Sequence, residues 1–221
     1  MKNLMRKFAL VLSLVLVVGA FAGCAKKFDA SAYLQAVLDN SYKNDPSGLV
    51  KLGYATEEEA NQIYEEGLDA NFQAMLATAG ITEDQAGDDL RTTMGNMLAA
   101  TKYEVGKAEK QDDGSYVVTV TYEQINVYEI AITNYMEAVT AYVEDYTAKV
   151  EAGEEVPSYD ELMTEVIEMF APIIDEALAT ATYDEPQTTT VRIELVDKKY
   201  TPNQSDLHNL GLLLYDNDAV Q

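Results

Sequence analysis

The chain has 221 residues, 48% of them hydrophobic, with 38 acidic side chains against 15 basic ones and a formal charge of −23. That apolar content is enough to bury a core, so wholesale disorder is excluded and one domain, or two small ones, is expected. The few scattered basic residues argue against a nucleic-acid partner, and one cysteine with one histidine leaves no material for a zinc site, a disulfide framework, a cysteine nucleophile or a histidine-based triad.

Lys2, Arg6 and Lys7 precede an apolar run from Phe8 to Ala22, the layout of a secretory signal. The run is shorter than the roughly 20 apolar residues of a membrane span and ends in small residues instead of a basic stop-transfer cluster. Its end, Ala20-Phe21-Ala22-Gly23-Cys24, resembles the lipobox of bacterial lipoproteins, with Phe21 where those proteins usually carry an aliphatic residue. The resemblance implies cleavage after residue 23, a diacylglycerol thioether on Cys24, and a protein held on the outer face of the cell membrane. Ala20-Phe21-Ala22 also reads as an ordinary A-x-A site that would release a soluble chain starting at Gly23. The expected organisation is a signal peptide over 1–23, a short lipid-proximal tether over 24–28 containing Lys26 and Lys27, and one α+β domain over 29–221.

The first helical pattern runs from about Asp29 to Tyr42, with Asn44-Asp45-Pro46-Ser47-Gly48 as its stop. Thr56-Glu57-Glu58-Glu59 is a capping box opening a helix whose stripe includes Leu68, Phe72 and Met75, and Thr82-Glu83-Asp84-Gln85 opens another carrying Leu90, Met94 and Leu98. The period then changes from 3.6 to two. Tyr116, Val118, Val120 and Tyr122 alternate with more polar positions, and Asp113-Gly114 ahead of them predicts a type I′ hairpin turn joining a partner strand over Tyr103 to Glu109. From Ile125 a seam of Tyr128, Ile132, Tyr135, Val139, Tyr142 and Tyr146 predicts the buried face of a long helix in preference to a coiled-coil partner. Ser158 with Glu161 starts the next helix, Pro172 predicts a break near Phe170 and Ala171, and Thr190, Arg192 and Glu194 alternate with Val191, Ile193 and Leu195 in a third strand. Thr201-Pro202-Asn203-Gln204 reads as the start of a final helix. The expectation is a helix-rich α+β domain, monomeric, with a small, mostly antiparallel three-stranded sheet.

Residues 150–191 contain 11 acidic groups and no basic one, without an EF-hand spacing to make them a calcium loop, so no metal and no cofactor is expected. No nucleophile elbow or phosphate loop is present, and His208 stands without a partner of its kind. The candidate binding face is the polar side of the sheet, Thr119, Thr121, Glu123, Thr190, Arg192 and Glu194, where alternation presents several preset hydrogen-bonding groups. Glu123 and Glu194, with Arg192 beside one of them, form the only carboxylate pair that this face suggests. Phe28-Asp29-Ala30, the Thr56 capping box and Tyr200-Thr201-Pro202 together resemble small lipoproteins of Gram-positive bacteria with a domain of unknown function, which implies a location more than an activity. The reading is a lipid-anchored, non-enzymatic binding or interaction module; the alternative is a carboxylate-dependent hydrolase of cell-wall polymers.

Overall fold

The computed structural model describes residues 28–220 apart from 88 and 198. The signal peptide, Cys24, Lys26 and Lys27 lie outside the described residues. Five helices come first: α1 (Ala30–Lys43), α2 (Ser47–Leu52), α3 (Glu57–Ala79), α4 (Glu83–Ala86) and α5 (Asp89–Ala99). A hairpin of β1 (Lys102–Lys110) and β2 (Tyr116–Glu123) leads to α6 (Val127–Ala152), α7 (Tyr159–Glu168) and α8 (Phe170–Thr180). A second hairpin, β3 (Gln187–Val196) and β4 (Lys199–Pro202), then precedes α9 (Gln204–Leu213) and a 3₁₀ turn (Asn217–Val220).

The sheet has four strands in the order β1-β2-β3-β4, every neighbouring pair antiparallel. The expected three strands are therefore corrected to four. Asp197, at φ 51, turns the chain back after Val196, and Val196↔Lys199, Leu195↔Tyr200, Glu194↔Thr201 and Ile193↔Pro202 then pair. Four residues are too few to register a period of two, and Pro202 suits the last position of an edge strand because little ladder is lost there. Consequently Pro202 is not the first residue of α9. Asn203 is its N-cap, accepting from the Asp206 amide at 3.0 Å.

The capping boxes at Thr56, Thr82 and Ser158 form as their spacing requires. Asn44, at φ 51, ends α1 where the stop was expected, and Pro46 then precedes α2, so Ser47 and Gly48 already belong to the next helix. Only Gly114, at φ 87, has positive φ in the β1–β2 turn, and the five-residue loop closes through Gln111 N–H to Ser115 O and Gly114 N–H to Gln111 O, so the expected type I′ turn does not form. Met169 separates α7 from α8 three residues before Pro172, which removes the donor that would have continued the ladder there.

One hydrophobic core joins helices and sheet. The α1 helix crosses the inner face of β1 and β2, where Val118 and Val120 meet Val191 and Ile193 of β3 in full burial. The β1 edge carries a bulge between Val105 and Ala108, covered by α1: Val105 N–H donates to Gln35 and the Ser31 hydroxyl donates to Gly106 O. The tyrosine seam of α6 is covered by the chain's own α8 and α7. Tyr135 packs edge-on against Phe170 and donates to Val166 O at 3.0 Å, Tyr142 donates to Glu165, and Tyr146 donates to Pro157 O.

The α6 helix begins without a local side-chain cap. Asp216, nearly ninety residues on, accepts from the amides of Tyr128 at 2.9 Å and Glu129 at 2.7 Å, and burial nonetheless holds its carboxyl above the usual carboxylate range. Because a lost cap leaves helix-end donors unsatisfied, Asp216→Ala is expected to cost about 1–2 kcal/mol, measured by urea denaturation. A loss below about 0.3 kcal/mol would mean that water replaces this cap at no cost.

Candidate binding surface: the outer sheet face and its cleft

Period-two alternation places Thr119, Thr121 and Glu123 of β2 and Thr190, Arg192 and Glu194 of β3 on one side of the sheet, opposite the buried Val118, Val120, Val191 and Ile193. Register sets Thr119 against Thr190 and Thr121 against Thr188. Thr119, Thr188 and Thr190 are exposed, and none of these four hydroxyls has a hydrogen-bond partner among the described residues. These exposed hydroxyls, unengaged within the chain, are open to water or to a ligand on a rigid two-strand platform.

The charged members of this face are dispersed. Arg192 turns to α9, where its Nε and Nη2 donate to Asp206 at 2.7 and 3.1 Å and the Arg192 amide donates to the same carboxylate; that hydrogen bonding raises its pKa further. Glu194 accepts from Asn203 Nδ2 at 2.7 Å, and Glu123 pairs with Lys102 at 3.3 Å. Glu123 lies one step beyond the Tyr122↔Gln187 pair, so it and Glu194 stand about eight residues apart along the sheet, roughly 26 Å at ~3.3 Å per residue. Carboxylates that share a glycosidic bond stand about 5–9.5 Å apart. The carboxylate pair suggested by the sequence is therefore not assembled, and Arg192 serves a helix instead.

At the Glu123 end the face runs into a cleft of about 490 Å³ between the last turn of α1, the start of β1 and the end of β2. Thr121 and Glu123 line it with Asp39, Lys43, Lys102 and Glu104. Lys43 donates to Ala99 O at 2.6 Å and to Thr101 O, closing the C-terminal end of α5, and burial lowers its pKa against the opposing pull of Asp39. Asp39 accepts from Tyr103 Oη at 2.9 Å and from Gln35 at 2.7 Å, while burial and that carboxylate push the Tyr103 hydroxyl far above its usual pKa. Lys102 Nζ also sits 3.5 Å from the centre of the Tyr183 ring, whose hydroxyl donates to Ala100 O. Two ammonium groups and three carboxylates thus rim a pocket whose walls are held by hydrogen bonds. Asp39 and Lys43 escape a sequence reading because their i,i+4 spacing resembles any solvated helix pair.

The acidic stretch is partly structural. Asp175 accepts from Thr93 and Asn96 at 3.0 and 3.1 Å, Glu165 from Tyr142, and Glu161 closes a capping box. Among the described residues no three His, Cys, Asp or Glu side chains are placed to hold a metal ion, and no helix is long and apolar enough to cross a membrane.

No protein-family model and no curated protein sequence matches the chain. Among solved structures, a Bacillus subtilis protein provisionally described as a lipoprotein (ycdA) superposes with a TM-score of 0.55 at 14% identity, over 85% of this chain and 56% of that one. The likeness concerns the fold, and this chain spans little more than half of that protein's length.

Proposed function

We propose that the protein is a lipid-anchored, extracytoplasmic binding or interaction module with no catalytic activity, and that it takes its ligand on the outer sheet face and in the adjoining cleft. The observation that carries this reading is the threonine ladder, Thr119 with Thr190 and Thr121 with Thr188, whose unengaged hydroxyls lead into a charged and rigidly braced pocket. The cleft offers both signs of charge within one small volume, which suits a polar ligand carrying both, or a polar segment of another protein. Anchoring is supported by the Ala22-Gly23-Cys24 ending of the apolar run and by the description of the Bacillus subtilis protein of similar fold. A carboxylate-dependent hydrolase of wall polymers is disfavoured by the separation of Glu123 from Glu194.

Two measurements test the proposal together. Mass spectrometry of the membrane fraction is expected to find acyl chains on Cys24 and none on a Cys24→Ala variant; an unmodified chain starting at Gly23 in the medium would overturn the anchor. The purified protein incubated with isolated cell-wall glycan is expected to release products only at background, unchanged by Glu123→Gln or Glu194→Gln. Turnover abolished by either substitution would replace the binding reading with the hydrolase.

A further inference from the structure

The proposed anchor is four residues from the first described side chain, and that side chain is clamped. Phe28 stacks on Tyr200 of β4 with ring centroids 3.7 Å apart and planes at 10°, and packs on Tyr116 of β2 and Tyr33 of α1 at 5.5 and 5.4 Å. Four residues of extended chain reach at most about 14 Å, at ~3.5 Å per residue, so an anchor at Cys24 would hold this end of the sheet close to the membrane.

The same end carries both hairpin turns, because Lys110, Tyr116, Ile193 and Pro202 stand in one row across the four strands and the turns follow immediately beyond it. The last two residues of β3 at this end are apolar and exposed: Leu195 is 43% and Val196 53% exposed, two of the few large hydrophobic side chains the described surface shows. Leu195 lies directly across from Tyr200, the ring on which Phe28 stacks, so Leu195 continues the clamped start of the chain, while Val196 follows Glu194 on the opposite face of the same sheet end. Two half-exposed apolar side chains beside an edge strand form only a small apolar tip, and it is the tether that singles this tip out from other exposed apolar residues.

We propose that this sheet end rests on the lipid bilayer, with Leu195 and Val196 entering the headgroup region and the cleft facing away from the membrane. The inference rests on the lipid-anchor reading. Tether length fixes which end is near the bilayer, and the apolar pair gives that end something to do there. Lys110 and Lys199 make no salt bridge among the described residues, but the formal charges of Lys110, Lys198 and Lys199 are matched by those of Asp112, Asp113 and Asp197 around the two turns, so the contact is apolar instead of electrostatic. The cleft end lies roughly 26 Å further along β2 and β3, at ~3.3 Å per residue, open to the extracytoplasmic space.

The chain contains no tryptophan, so one substitution supplies a single reporter. The full chain carrying Val196→Trp, and separately Thr188→Trp at the cleft end of the same strand, would be expressed in a bacterial host, purified in its processed form, checked for acylation by mass, and reconstituted into phosphatidylcholine vesicles with and without brominated acyl chains. The Val196→Trp indole is expected to shift to shorter wavelength and to be quenched several-fold more than the Thr188→Trp indole, in neutral vesicles and at high salt alike. Acylated protein with both indoles equally unquenched would overturn the orientation while leaving the anchor intact. A Val196→Trp indole shielded from bromine in protein that cross-links as a dimer would assign the patch to a second copy and equally overturn the proposal. Protein without acyl chains would overturn anchor and orientation together.

Discussion

Above pH 10 the protein should unfold within one to two pH units. The chain has 15 tyrosines and no tryptophan, and the largest fully buried side chains begin with Tyr33, Tyr42, Tyr135 and Tyr215. Burial raises Tyr33, Tyr42, Tyr103, Tyr128 and Tyr215 well above the ordinary phenol value of about 10, with Asp39 adding to the shift at Tyr103 and Asp216 at Tyr128. In the unfolded chain each of these hydroxyls ionises near pH 10, whereas in the folded one it stays protonated. A raised acid contributes stability in full below its unfolded pKa and loses it as pH rises beyond, so the loss begins near pH 10 and continues upward. Each such tyrosine removes about 1.4 kcal/mol per pH unit, and five together about 7, against a typical total of about 5–15. Tyrosinate absorbance and loss of helical circular dichroism should therefore rise together in one cooperative step. Gradual ionisation with the helices intact at pH 12 would show that these rings reach water without unfolding.

Two of the same tyrosines should improve the protein when they lose their hydroxyls. The Tyr42 and Tyr128 hydroxyls are fully buried without a hydrogen-bond partner among the described residues. An unmade buried hydrogen bond costs about 1–3 kcal/mol, so Tyr42→Phe and Tyr128→Phe are each expected to stabilise by about that amount, with the ring packing kept. Tyr215 and Tyr135 provide the opposite case. Their hydroxyls donate to Met97 O at 3.1 Å and Val166 O at 3.0 Å, so the same change removes a hydrogen bond that is made and should destabilise by about 1 kcal/mol. Urea denaturation of the four variants reads the sign directly. Destabilisation by Tyr42→Phe would reveal a buried water as the missing partner.

The expected elements were legible where the signal is local. Capping boxes at Thr56, Thr82 and Ser158, the period-two runs of β2 and β3, and the Pro172 break are written in neighbouring residues, because a cap, a pleat and a missing amide act within one turn. Local signal fails for β4, whose four residues take their conformation from Val196↔Lys199 and Ile193↔Pro202 pairing, and for the hairpin turn, whose loop is set by where β1 and β2 come into register. The polar face was readable from alternation, but the partners of its charges were not. Arg192 finds Asp206 and Glu123 finds Lys102 only once helix and strand are docked.

By itself the sequence determined the class of the fold, most of its helices and strands, and which side of the sheet stays wet, since propensity, periodicity and capping depend on residues a few positions apart. Tertiary structure alone decided the rest. It brought Asp216 to the start of α6 and Asp39 and Lys43 to the mouth of a cleft, and it placed Phe28 on Tyr200, because each of these contacts joins segments whose separation along the chain carries no record of their distance in space.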